Sequence, residues 1–255
     1  MMTEKLYLDE INNAYNVKFS AKILNIDGNK ITLDRTLFYP IGGGQNWDVG
    51  TLHTSNGPVN VTEVRGRNIV EHYIDDSEYN LSIGEEIIGE IDWQRRYSHM
   101  RMHTAQHLMS GIAYEIFNGI RTVGNQIHTS HSRIDFNPVT FDQAMLEELC
   151  DAVNNLTSQS IPVTFSTMTR EEINKLMPKE RTNMDLLPKS VKNLRVVKIG
   201  DDIDLCPCAG THVKNLQEIG QISIIGKKSK GKVTQRITYE INNNKLTKPP
   251  NLDII

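Results

Sequence analysis

The sequence predicts an α+β protein, with a small β-barrel-like domain over residues 1–90 and an α+β domain on an antiparallel sheet over residues 91–255. Three observations carry this. Short alternating runs separated by turn residues fill the chain from residue 15 to about 90. At Ser98 the apolar period changes from two to that of a helix. Beyond that point helices mix with strands joined by short connections, which build antiparallel sheets.

Val17 to Leu33 holds two alternating runs broken at Asp27-Gly28, a tight hairpin turn. Asn56-Gly57 and Arg65-Gly66-Arg67-Asn68 mark two further turns between runs such as Val59–Val61 and Ile69–Tyr73. Strands this short and this regularly punctuated suit a small barrel or sandwich. An acidic stretch, Asp75 to Glu90, then leads to Ile91-Asp92-Trp93, where the boundary is placed. Leu108, Ile112 and Ile116, with Met109, Ala113 and Phe117, form a stripe of helical spacing that stops at Gly119. Thr140 with Gln143 has the form of a capping box, opening a second helix that runs to about Ser158. Ile161–Thr167 reads as a strand, and Thr169 with Glu172 opens a short helix that stops before Pro178. Leu194–Ile199 and Ile203–Leu205 read as strands around the turn Gly200-Asp201-Asp202, and Gln221–Ile225 with Val233–Ile241 as a final hairpin.

With 38% hydrophobic and 23% charged residues the chain is of the globular class, and its net charge of −3 gives no global signal for nucleic acid. Cys150, Cys206 and Cys208 are an odd set with two members almost adjacent, which fits a reducing compartment rather than a disulfide framework. The first residues lack a signal-peptide core, and no apolar run approaches the roughly 20 residues that cross a bilayer. The expectation is a cytoplasmic protein with no membrane partner.

Two motifs with four-residue spacing stand out: His103-Thr104-Ala105-Gln106-His107 and Cys208-Ala209-Gly210-Thr211-His212. The first lies in the helical run, where an i, i+4 pair presents both imidazoles from one face. The second begins in Pro-Cys-Ala-Gly and reads as a tight turn entering a strand. Three imidazoles and a thiolate make a borderline-soft tetrahedral donor set suited to Zn2+. Thr104 occupies the place of the general-base glutamate of the His-Glu-x-x-His peptidases, which argues against that chemistry. His128 and His131, in a polar segment, read as exposed.

Two further features bear on binding. Ile41-Gly42-Gly43-Gly44-Gln45 matches neither a phosphate loop nor a dinucleotide fingerprint. It reads either as a turn needing positive φ or as a loop that a substrate approaches closely. Between Ile219 and Tyr239 there is no acidic residue, while Lys227, Lys228, Lys230, Lys232 and Arg236 crowd the hairpin. Such a strip is either a solvated tip or a grip for phosphates, extended by Arg95, Arg96 and Arg101.

The chain resembles the AlaX family, free-standing relatives of the alanyl-tRNA synthetase editing domain, in its medium-length form. The likeness covers nearly the whole length. It rests on Phe38-Tyr39-Pro40-Ile41-Gly42-Gly43-Gly44-Gln45, on Asp92-Trp93 through His107, on Gly124-Asn125-Gln126 and Arg133-Ile134-Asp135-Phe136, on Cys206 through Val213, and on Gln235-Arg236-Ile237. It departs at Ala209, where the synthetase pattern has Gly. The resemblance implies a zinc site of His103, His107, Cys208 and His212, an amino-acid pocket lined by Thr104 and Gln126, and a glycine loop (Gly43, Gly44, Gln45) that assists tRNA or substrate selection. It implies hydrolysis of mischarged tRNA(Ala), chiefly seryl-tRNA(Ala) and also glycyl-tRNA(Ala). The local charge of Lys228, Lys230 and Arg236 is then expected to grip the tRNA, and Thr104, beside a metal ligand, is placed to bond the serine hydroxyl. The alternative is a non-catalytic tRNA-binding protein with a structural zinc. Oligomeric state is not legible in the sequence.

Overall fold

The structure, a computed structural model, describes residues 2–8, 11–75, 79–177, 191–242 and 251–255. It divides into two compact units, Met1–His99 with Leu246–Ile255, and Met100–Lys245. The first unit therefore also takes the described residues 251–255, which the sequence places with the second domain.

In the first unit the strands are β1 (Glu4–Lys5), β2 (Asn16–Asp27), β3 (Lys30–Leu33), β4 (Arg35–Thr36), β5 (Gly50–Thr54), β6 (Gly57–Arg65), β7 (Glu71–Ile74) and β8 (Glu86–Ile91). Six of them close a ring in the order β2-β3-β7-β6-β5-β8, with β8 pairing back onto β2, all antiparallel. Closure fits the alternation: Val17, Phe19, Ala21 and Ile23 on β2 and Ile87 and Ile91 on β8 are buried. Gly89 is required opposite Phe19, because a Cβ there would lie 2.2 Å from the Phe19 ring. The sequence reading passed over β8 as part of an acidic connector; Glu86 and Glu90 are its outward positions, alternating with the buried isoleucines. Residues 76–78 of that acidic stretch lie outside the described residues.

Helix α1 (Trp93–Ile116) starts a turn and a half earlier than the apolar stripe suggests. Asp92 is the reason: its carboxylate accepts from the Arg95 amide, satisfying a free first-turn donor. Arg96, in that first turn, is fully buried, so polarity hid the periodicity. Its guanidinium bonds the buried Asp48 and the carbonyls of Ala14 and Leu37. Within the second unit α1 is buried on most sides, and His103, Thr104, Gln106 and His107 are among its buried polar residues.

The second unit continues with β9 (Arg121–Gln126), β10 (Ser132–Asn137), α2 (Gln143–Thr157), β11 (Val163–Thr169), α3 (Arg170–Leu176), β12 (Asn193–Ile199), β13 (Asp204–Pro207), β14 (Ile222–Ser229) and β15 (Gln235–Ile241). A last strand, β16 (Asn251–Ile254), belongs to the first unit and runs parallel to β2. The strands of the second unit form two antiparallel sheets, β14-β15-β10-β9 and β11-β12-β13. The four-stranded sheet lays Ser132, Ile134, Phe136, Ile237 and Tyr239, all buried, on one face. From that face the Tyr239 hydroxyl donates to the Met102 carbonyl of α1 at 2.7 Å. The capping box at Thr169 is present as expected. Pro178, taken as its stop, lies outside the described residues. The second helix is capped by Asp142, whose carboxylate accepts from the Met145 amide, and not by Thr140. No helix of the described residues is long and apolar enough to cross a membrane.

Candidate metal centre

His103 and His107 project from one face of α1, four residues apart, as the helical period requires. Cys208 and His212 come from the loop that follows β13; the motif leaves a strand rather than entering one, a correction to the sequence reading. Two contacts fix that loop. The Cys208 amide donates to the Arg195 carbonyl at 3.0 Å, and the Arg195 guanidinium donates to the carbonyls of Cys208 and Gly210 at 2.7 and 3.1 Å. Arg195 lies flat on Phe165, 3.6 Å from the ring centroid.

The four donor atoms all lie within 4.8 Å of one another, a group that could hold a metal ion. The Cys208 Sγ is 3.4 Å from His212 Nε2 and 3.6 Å from His103 Nε2. Cys206, two residues away, is not in the group; its thiol is directed at the Pro207 carbonyl.

Each of two ligands is held from behind. His107 Nδ1 is 2.9 Å from an Asp204 carboxylate oxygen, with both side chains about 5% exposed. His212 Nδ1 is 3.1 Å from the Thr104 hydroxyl. Asp204 carried no sequence signal, since a carboxylate at the start of a strand is ordinarily a solvent-side residue. The electrostatics follow. Burial would lower the His107 pKa, but hydrogen bonds to Asp204 and Cys208 outweigh it and raise it to about 10. Burial would raise the Cys208 thiol, but the electrostatic attraction of His103 and His212 and hydrogen bonds to His103 and His107 hold it well below its usual range. Burial, reinforced by the charge on His103, keeps His212 well below the usual histidine value. A thiolate among imidazoles is the form that binds cations.

Other expected residues lie elsewhere. Thr104 is fully buried, and its hydroxyl donates to the Met100 carbonyl (2.8 Å), accepts from the Val213 amide (3.2 Å) and faces His212. The resemblance implies a pocket role for Thr104; in the structure its hydroxyl is engaged with these three protein groups. Gln126 ends β9, pairs with Arg133 and, by strand alternation, points away from the face on α1. Arg133 pairs across to Thr238, and Lys228 pairs with Arg236, so Gln126, Arg133, Asp135, Arg236 and Lys228 share that second face. Arg236 grips Asp135 through two bonds of 2.6 and 2.8 Å. Lys228 and Lys230 are exposed, whereas Lys227 turns back to the Phe141 carbonyl. In the first unit, Gly43 (φ +57°) and Gly44 (φ +86°) make the turn that the sequence offered as one reading, while Gln45 is buried at its base. His131 is exposed and His128 half-buried, their rings 5.9 Å apart.

The family model for the threonyl and alanyl tRNA synthetase second additional domain matches residues 194–238, and that for class II (A) tRNA synthetases matches residues 7–95. An alanyl-tRNA editing protein AlaX-M of Saccharolobus solfataricus is 37% identical, over 94% of this chain and 99% of its own. One of Methanosarcina barkeri is 35% identical, with the same shares of both chains. An AlaX-L of Pyrococcus horikoshii is 32% identical over 93% of this chain, which spans 58% of that longer protein. With this extent of likeness, and with both metal motifs assembled at one point, the chain belongs to the AlaX family of alanyl-tRNA editing proteins.

Proposed function

We propose that the protein is a trans-editing hydrolase, a zinc-dependent deacylase of mischarged tRNA(Ala), acting chiefly on the seryl and also on the glycyl ester. The observation that carries the reading is the convergence of His103, His107, Cys208 and His212 in a chain that matches editing proteins end to end. Zinc fits the donors. Tetrahedral zinc with bonds of about 2.3 Å to sulfur and about 2.0–2.1 Å to nitrogen sets sulfur–nitrogen separations of about 3.5 Å. The separations here are 3.4 and 3.6 Å. When bound, the cation supplies Lewis-acid charge for ester hydrolysis, whether on water or on the substrate. Editing of this kind is needed because a site shaped for alanine admits glycine and rejects serine poorly.

The chain's own residues divide the remaining work. Cys208 and the three histidines hold the charge in a buried place, where its field is strong. The polar sheet face with Gln126, Arg236, Lys228 and, beyond the strand, Lys230 is assigned to the tRNA, and the turn of Gly43, Gly44 and Gln45 to substrate selection. The second reading, a non-catalytic tRNA-binding protein, draws on the full set of four protein ligands, which is the mark of a structural zinc site. Deacylation of seryl-, glycyl- and alanyl-tRNA(Ala) by zinc-loaded and chelator-stripped protein separates the two. Hydrolysis of the seryl ester that disappears on stripping and returns with zinc supports the hydrolase. Tight tRNA binding without hydrolysis supports the second reading.

A further inference from the structure

Three of the four donors are imidazoles, and an imidazole offers a lone pair to a cation only through the nitrogen that carries no proton. Which nitrogen that is depends on what the other one meets. At His107 the other nitrogen, Nδ1, meets the carboxylate of Asp204 at 2.9 Å, and an ionised carboxylate is an acceptor only. The proton on Nδ1 is therefore the one that is held, and Nε2 is the nitrogen left to a bound cation. At His212 the partner of Nδ1 is a hydroxyl, which could donate or accept. Here the rest of the network decides. The Thr104 proton is directed to the Met100 carbonyl at 2.8 Å, as the i−4 position on a helix favours, and the Val213 amide takes one lone pair at 3.2 Å. The remaining lone pair faces His212 Nδ1 at 3.1 Å and accepts its proton. His212 Nε2 is then left to a bound cation as well, and it lies 3.4 Å from the Cys208 sulfur.

We propose that Asp204 and Thr104 are the positioning residues of the metal centre, fixing His107 and His212 in the Nδ1–H form with Nε2 turned toward the cation. Both side chains are buried, behind the residues they face. Asp204 stands at the head of β13, four residues before Cys208, so one segment carries both a ligand and the residue that aims another ligand. Thr104 lies between His103 and His107 on α1 and reaches across to His212, tying the two halves of the site together. Orienting partners of this kind are typically worth about 10–100-fold in metal affinity or activity.

This inference rests on the metal reading above and not on the tRNA substrate, so its test uses metal alone. Zinc affinity is measured by competition with a chromophoric chelator on the full chain, alongside the visible spectrum of the cobalt-substituted protein and far-UV circular dichroism. Asp204→Ala should weaken zinc binding by about 10–100-fold and alter the cobalt bands, with the fold retained. Thr104→Val, which keeps the shape and removes the hydroxyl, should weaken it by about 10-fold, and Thr104→Ser should restore it. If Asp204→Ala does not fold, Asp204→Asn carries the test: it keeps an acceptor, loses the charge, and should bind severalfold more weakly than the wild type. Wild-type affinity and an unchanged cobalt spectrum in Asp204→Ala, or in Thr104→Val, overturn the proposal. No zinc uptake by the wild type overturns it together with the metal reading. The predicted affinity pattern in a protein that deacylates nothing supports it while overturning the editing reading alone.

Discussion

Cys208 and Cys206 are two residues apart on the same segment, yet only one of them belongs to the metal group. Strand geometry would point their side chains to the same face, so proximity in sequence cannot choose between them. The choice is made by the path of the chain after Pro207, where the Arg195 guanidinium holds the carbonyls of Cys208 and Gly210 and turns the Cys208 sulfur toward His103 and His212. Cys208→Ala should therefore abolish stoichiometric zinc in the purified protein, whereas Cys206→Ala should leave it at about one per chain, by elemental analysis. Zinc lost with Cys206 and kept without Cys208 would reverse the assignment. The group of four that could hold a metal was legible from two spacings because each pair is local, an i, i+4 pair on a helix and a turn. Asp204 and the true bonding of Thr104 were not legible, because both depend on contacts made across about a hundred residues of sequence.

Single elements show the same division between local and distant causes. The hairpin turns at Asp27-Gly28 and Asn56-Gly57 lie where the sequence put them, since a glycine at positive φ is a local demand. Strands β9 and β10 have no clear sequence signal: Arg121, Thr122, Asn125 and Gln126 interrupt any apolar alternation in β9, and the strands are made by pairing, β9 with β10 and β10 with β15. The start of α2 was misplaced because Thr140 offers the right residue two positions early, whereas Asp142 makes the bond. Within the barrel, β7 carries His72, fully buried between the Ile31 carbonyl on Nδ1 (3.1 Å) and the Thr36 hydroxyl on Nε2 (2.8 Å). The ring is neutral there, and burial lowers its pKa from 6.5 to about 4. Between those two values the unfolded chain binds a proton that the folded chain refuses. Stability is thus fully present above pH 6.5 and is lost as pH falls toward 4, by up to roughly 3 kcal/mol at about 1.4 kcal/mol per unit. Urea unfolding across that range should show this slope in the wild type and a shallower one in His72→Gln; equal slopes would mean that His72 is not held neutral.

At the scale of the whole molecule, the proposed tRNA substrate would have to be held by local charge, because the chain is slightly acidic overall. The exposed Lys228, Lys230 and Lys232 are the available cations of the last hairpin among the described residues, because Lys227 is engaged with the Phe141 carbonyl and Arg236 with Asp135. Lys228→Glu with Lys230→Glu should raise KM for charged tRNA and flatten its dependence on salt while zinc content stays constant, since fewer counterions are released on binding. An unchanged KM and salt slope would make the hairpin a solvated tip. The barrel and the metal motifs could be read from the chain because each repeats a short-range pattern. The return of residues 251–255 to the first unit, where β16 runs beside β2, could not. The most direct measurement is the initial rate at which the zinc-loaded protein deacylates seryl-tRNA(Ala) against alanyl-tRNA(Ala), both at the same subsaturating concentration. The expected result is turnover of the seryl ester at least about 10-fold faster, which corresponds to about 1.4 kcal/mol of discrimination. Equal rates on the two esters, or none on either, would contradict an editing function.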